Sequence, residues 1–198
     1  MKKILALIIL LTLAGCGKPD KDALTRLNEM ESYKAGAEVT YISNKGENTF
    51  STIQYAKKDG RYRIETLAPK EYEGTALVYD GKLVWQKTQD GGGRIKVTSN
   101  SPERALLLLY SFLDNHERSM ENAVVTTSSS PGKNVTVLEA DIPGGSSSLA
   151  HEKLWIDNES GAPQRLTVYN AEGNEKIVVK FSDFRYNEKI EDSVFSVN

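Results

Sequence analysis

The residues able to do chemistry in this 198-residue chain are few and far apart. There is one cysteine, Cys16, and there are two histidines, His116 and His151. A zinc site wants three or four Cys, His or acidic ligands within reach. The chain has no His-x-x-x-His, no cysteine pair and no glutamate-rich helix face, so neither metal nor cofactor is expected. His116 follows an apolar stretch and suits the C-terminal end of a helix, where a cation is favoured. His151 opens a strand-like region and reads as a surface residue. Serines are plentiful, yet no Gly-x-Ser-x-Gly elbow occurs. Gly144-Gly145-Ser146-Ser147-Ser148 has no following glycine and no strand-to-helix switch, and reads as a loop. Gly91-Gly92-Gly93 lacks the Gly-Lys-Ser/Thr ending of a phosphate loop. Glu71-Tyr72-Glu73 and Glu191-Asp192 read as solvated loop faces, not acid–base pairs. No catalytic set emerges, and an enzyme is not expected.

Cys16 closes Leu13-Ala14-Gly15-Cys16, behind Lys2, Lys3 and the apolar run from Ile4 to Leu13. That run is shorter than the ~20 residues of a membrane-crossing helix. It fits the ~7–15 residue apolar core of a signal peptide. The pattern resembles the bacterial lipobox, which implies cleavage between Gly15 and Cys16, lipid on the Cys16 sulfur and an address on the extracytoplasmic face of a membrane. An uncleaved anchor or an ordinary secretory signal begins in the same way. The cysteine standing directly after Leu-Ala-Gly, with no other in the chain, favours lipidation. The organisation expected is a signal over 1–15, a lipidated cysteine and tether over 16–21, and one domain over 22–198. A single cysteine leaves no intramolecular disulfide.

The bulk composition describes a soluble globular domain tied to that address: 39% hydrophobic, 26% charged. Net charge is −2, and losing Lys2 and Lys3 with the signal makes the remainder more acidic. Nucleic acid is therefore not an expected partner.

The elements begin with a helix from about Asp22 to Ser32, in which Leu24, Leu27 and Met30 recur at helical spacing. Strand-like runs follow at Ala37–Ile42, Phe50–Ala56, Tyr62–Thr66, Thr75–Tyr79, Leu83–Lys87 and Arg94–Thr98, punctuated by Asn44-Lys45-Gly46, Asp59-Gly60 and Asp80-Gly81. Ser101-Pro102-Glu103 reads as a helix start, with Leu106, Leu107, Leu108, Leu109, Phe112 and Leu113 behind it. Asn115-His116-Glu117-Arg118 returns to polar residues. Strands resume at Ala123–Thr127, Asn134–Ala140, Lys153–Ile156, Gln164–Tyr169 and Lys176–Phe184. Ser128–Gly132 and Pro143–Ser148 read as loops. The tail, with Ile190, Val194, Phe195 and Val197, is expected along an edge. The sum is a mostly β (α+β) chain, a curved antiparallel sheet covered by helices.

This order resembles the LolA/LolB/RseB-like lipoprotein-carrier fold family. The first half carries Arg61-Tyr62-Arg63-Ile64-Glu65, then Val78-Tyr79-Asp80-Gly81-Lys82-Leu83-Val84-Trp85. The second half carries Leu154-Trp155-Ile156-Asp157, Gly161-Ala162-Pro163, Val168-Tyr169-Asn170 and Phe181-Ser182-Asp183-Phe184-Arg185-Tyr186-Asn187, then Ile190, Asp192 and Phe195. The resemblance implies an incomplete β-barrel of about eleven strands covered by two or three helices. Its Lys-rich start and its ending are similar to the GerS-type germination lipoproteins of spore-forming bacteria, which implies binding and support of a cortex-modifying amidase. No catalytic or partner-contact residue carries over from the family.

Two readings of Leu106, Leu107, Leu109, Phe112 and Leu113 stand side by side. In one they form a plug helix that fills the interior; in the other they line a cavity for an acyl chain or an apolar peptide. The filled plug is favoured, because a sheet satisfies such side chains without a ligand. The leading functional reading is a membrane-anchored, non-enzymatic lipoprotein that supports an envelope partner, with a spore-cortex amidase as the candidate. The alternative is a carrier or acceptor of lipids or lipoproteins. A sensor of a membrane protease is a third. An exposed edge strand also offers a place for a partner strand, or for exchange between two copies in a strand-swapped homodimer.

Overall fold

Alternation of apolar and polar residues builds the strands of this computed structural model, which describes residues 23–89, 93–97, 105–119, 125–130 and 133–196. Helix α1 (Ala23–Asn28) leads into β1 (Ser32–Ser43), β2 (Gly46–Lys57), β3 (Tyr62–Ala68), β4 (Ala76–Tyr79), β5 (Val84–Lys87) and β6 (Arg94–Lys96). Helix α2 (Leu109–Arg118) follows, then β7 (Val125–Ser130), β8 (Lys133–Ser146), β9 (Leu149–Asp157), β10 (Pro163–Tyr169) and β11 (Glu175–Tyr186), and a 3-10 turn at Asp192–Phe195. Among the described residues no helix is long and apolar enough to cross a membrane.

The eleven strands form one antiparallel sheet in the order β6-β5-β4-β3-β2-β1-β11-β10-β9-β8-β7. Two meanders are thus joined back to back where β1 pairs with β11. The edges are β6 and β7, and α2 lies between them in the chain. Val39 and Ile64 from one half share a core with Leu138, Leu154 and Leu166 from the other, and Leu106–Leu109 and Phe112 sit in that same core. The sheet therefore wraps the α2 segment as an incomplete barrel, and the mostly β, curved antiparallel sheet expected from the sequence is what forms.

The family motifs turn out to be turn and closure devices. Asp80 Oδ1 accepts from the Lys82 and Leu83 amides, at 2.8 Å each, and its Oδ2 accepts from Trp85 Nε1 at 3.0 Å. Gly81 supplies the positive φ of that turn. Arg63 and Glu65 form an ion pair at 2.9 Å along β3. Asn187, at φ 53, turns the chain out of β11, and its Oδ1 accepts from the Glu31 amide at 2.8 Å. Where β1 meets β11 the register slips between Lys34 and Gly36. The slip lets Phe181, Phe184 and Tyr186 all reach the core, where Phe184 stacks on Tyr33 at 5.3 Å.

Four local expectations are corrected. The first helix stops at Asn28, because the Glu31 amide and the Ser32 hydroxyl bond to Asn187 and Glu188 and draw the chain into β1. Asp22 and Asp20 lie outside the described residues. Ser128–Ser130 belong to β7, where pairing with Lys133–Val135 overrides weak local propensity. Pro143–Ser146 belong to the end of β8, where the register with β9 shifts between Asp141 and Ser146. Gly145 permits this: a Cβ there presses on the Leu149 carbonyl oxygen. Ile190 and Phe195 dock on a sheet face, not along an edge, forming a second cluster with Ala76 and Val78. Val197 is outside the described residues.

The last correction concerns the leucines. Four consecutive helical residues span most of a turn, so burying all four in a helix needs cover on every side. The expected helix start at Ser101-Pro102-Glu103 lies outside the described residues, and Ala105 is helical. Leu106–Leu108 are not α-helical, Leu108 is extended at φ −106 and ψ 139, and the helix runs from Leu109 to Arg118. The stretch Asn115–Arg118, where the sequence returns to polar residues, is the helix's last turn, so His116 lies at the C-terminal end of a helix as expected.

Candidate functional site

Two neighbouring features define the interior: a plug of side chains and an open hollow beside it. Leu106, Leu107, Leu108, Leu109 and Phe112 are each 5% exposed or less. Their backbone is pinned from the sheet. The Tyr33 hydroxyl donates to Gln54 Oε1 at 3.0 Å and accepts from the Leu109 amide at 3.3 Å. Gln54 Nε2 donates to the Leu107 carbonyl at 3.2 Å. Tyr33 and Gln54 are both fully buried, and each is satisfied at both of its ends. Burial pushes the Tyr33 hydroxyl's pKa up, so it stays protonated. Tyr110 adds a bond to the Met30 carbonyl at 3.0 Å.

Beside the plug, the inner faces of β1–β5 leave an open hollow of about 320 Å³. Val39, Phe50, Ile64, Leu77 and Leu107 give it an apolar floor, and Thr52, Thr66 and Gln86 give it polar points. An edge-to-face ladder of Tyr41, Phe50 and Tyr72 stands there, with centroid spacings of 6.0 and 5.5 Å. Tyr72 is 48% exposed. The volume is at the small end of the ~300–1,000 Å³ typical of ligand pockets.

The five residues singled out in the sequence thus separate. Leu106, Leu109 and Phe112 are packed among side chains, and Leu107 reaches the hollow. Leu113 lines a different cleft, between α1 and α2, with Leu24, Leu27 and Tyr110. Cys16 and Gly15 lie outside the described residues. His116 sits in the last turns of α2, stacked on Phe112 at 5.8 Å. Its Nε2 is buried without a partner, and burial lowers its pKa. His151 is half-buried in β9 and lies flat on Tyr169 at 5.2 Å. Among the described residues no group of three or more His, Cys, Asp or Glu is placed to hold a metal.

The sequence reading missed the burial of Gln54, Asn115 and Glu152 and the bridging role of the Tyr33 hydroxyl. Glu152 has no exposure; its Oε1 accepts from Asn115 Nδ2 at 2.9 Å, and its Oε2 has no partner. Period-two alternation carried a usable signal. It puts Gln54 in phase with Thr52 and Ala56, and Glu152 in phase with Leu154 and Ile156, on the apolar face of each strand.

The architecture is an open, curved antiparallel sheet wrapped around an apolar plug. The chain belongs to the YdcC-like sporulation protein family, whose model, described as sporulation protein YdcC-like, matches residues 1–195. Two solved structures with TM-scores above 0.5 share the fold. An uncharacterized conserved protein from Thermus thermophilus is similar at 15% identity and a TM-score of 0.55, over 87% of this chain and 90% of that one. A chain from the structure of the CwlD amidase of Clostridioides difficile in complex with the GerS lipoprotein is similar at 24% identity and TM-score 0.51, covering 83% and 91%. The LolA superfamily protein NE2245 of Nitrosomonas europaea matches at 12% identity and TM-score 0.45, covering 89% and 98%. A comparison with curated protein sequences returned no match.

Proposed function

We propose that this sporulation-family protein is a lipoprotein held by lipid on Cys16 at the extracytoplasmic face of a membrane. There it binds and supports an envelope protein, a peptidoglycan amidase being the class of partner, and catalyses nothing itself. The observation that carries this reading is the filled interior. Leu106, Leu108, Leu109 and Phe112 occupy the space in which a carrier would hold cargo, and the sheet pins them through backbone bonds. The fold shared with a chain of an amidase–lipoprotein complex supports a protein partner. The open edges β6 and β7 are the places where a partner strand, or a second copy, would add.

Capture of the full chain from sporulating cells tests the reading: an envelope amidase is expected to co-purify, and Cys16→Ser is expected to release the protein from membranes with its fold intact. Absence of any envelope enzyme, with unchanged cortex chemistry in a deletion strain, counts against it.

The hollow beside Leu107 favours a second reading, a carrier of a short apolar group. Lipid extraction and native mass spectrometry decide: stoichiometric bound lipid supports the carrier, and an empty protein supports the scaffold.

A further inference from the structure

The second buried polar contact of α2 involves an acid, Glu152. Glu152 stands in β9 opposite Ala140 of β8 and Val168 of β10, on the face that carries Leu154 and Ile156 into the core. It has no exposure, one amide donor in Asn115 and one carboxyl oxygen with nothing bonded to it. A buried carboxylate without a counter-ion is so poorly tolerated that the group takes up a proton instead.

We propose that Glu152 and Asn115 form a protonation-dependent latch: neutral Glu152 seats the C-terminal half of α2 on β8 and β9, and ionised Glu152 releases it. Among the described residues, another polar contact on that side is exposed. There Ser119 Oγ donates to the Asp141 carbonyl and accepts from the Asp141 amide, both at 3.2 Å. The opposite end of the plug stays pinned by Tyr33 and Gln54, which carry no charge. Release is therefore a local swing of α2 about its leucine end, and it opens the interior on the β8–β9 side.

The surroundings leave Glu152 as the group that titrates. From β8 the inner face presents Leu138 and Ala140, and from β10 it presents Leu166 and Val168. Glu139 and Lys153 alternate to the opposite face and pair there at 2.8 Å; Asp141 and His151, opposite each other, share that outer side. On α2, Asp114, Glu117 and Arg118 are exposed. On the same helix His116 has a buried Nε2 without a partner, and burial lowers its pKa, which favours the neutral ring. Burial pushes the Glu152 carboxyl from 4.5 up to about 7, against a small opposing effect of the Asn115 donor. A raised folded-state value means the latch is complete below 4.5, weakens as pH rises and is lost through about 7.

Amide exchange along Leu109–Arg118 in the purified full chain at pH 6 and pH 8, corrected for intrinsic exchange, tests the latch. Protection around Asn115 is expected to fall about tenfold between the two values. In Glu152→Gln it is expected to stay level, and in His116→Gln to fall as in the wild type. Level protection in the wild type, an undiminished fall in Glu152→Gln, or a fall that vanishes with His116 overturns the proposal. If Glu152→Gln does not fold, the carboxyl ¹³C shift of Glu152 in the wild type decides. Titration near 7 supports the latch, and titration at an ordinary glutamate pH overturns it.

Discussion

The two ends of the plug are fastened by opposite means. At the leucine end, Tyr33 and Gln54 form a neutral network in which the hydroxyl and both amide groups are used. At the other end, Asn115 meets a carboxyl that has one oxygen unpartnered. A satisfied buried network rigidifies what it touches, and a half-satisfied one is a place where structure gives way. The difference teaches that a single ten-residue helix has a fixed end and a conditional end. It also explains how an interior filled by the chain's own leucines remains able to change.

The largest expected effect comes from the residue both ends share. Phe112 is fully buried in the middle of the plug, against His116 and the core. Phe112→Ala is expected to destabilise the protein by about 3–5 kcal/mol through lost burial and the cavity left behind. Urea denaturation measures it. If the two ends are mechanically one unit, exchange rises evenly along α2. Exchange confined to the Asn115 end instead shows that the leucine clamp holds by itself, which sharpens the contrast.

Tyr33→Phe attacks the fixed end alone. It removes the hydroxyl that bridges Gln54 Oε1 and the Leu109 amide, and leaves two buried polar groups short of a partner. An unsatisfied buried group costs about 1–3 kcal/mol, and the effect is expected to be constant between pH 6 and pH 8. A pH-dependent loss would show that the two ends are coupled and would break the comparison.

The sheet was largely legible in the sequence and the fastening was not, for a physical reason. Strands such as Tyr62–Thr66 and Gln164–Tyr169 announce themselves by alternation and by flanking turn residues. The family motifs around Asp80 and Asn187 are turn devices whose side chains act locally. The leucine run misleads because four adjacent apolar residues fit a buried helix and a buried bend equally well. The bend is decided by Gln54 and Tyr33, more than fifty residues away in the chain. Glu152 escapes a search for acidic pairs because its meaning lies in having no charged partner. Only its phase with Leu154 and Ile156 marks it. The hollow beside Leu107 depends on how far β4 and β5 stand from the plug, which no local pattern encodes.

The smallest expected effect belongs to the other carboxyl of the same strand pair. Glu139 of β8 and Lys153 of β9 face each other on the outer side of the sheet, at 2.8 Å and about one-third exposed. Such a pair loses most of its Coulomb energy to solvent, and exposed pairs contribute roughly 0–1 kcal/mol. Glu139→Gln is therefore expected to lower Tm only slightly, and less at high salt, with no change in the protection of α2. The two carboxyls sit one residue apart in register, on opposite faces of the same two strands. A substitution at Glu139 that reproduced the pH response assigned to Glu152 would mean that the response belongs to the β8–β9 hairpin, not to the buried end of the helix.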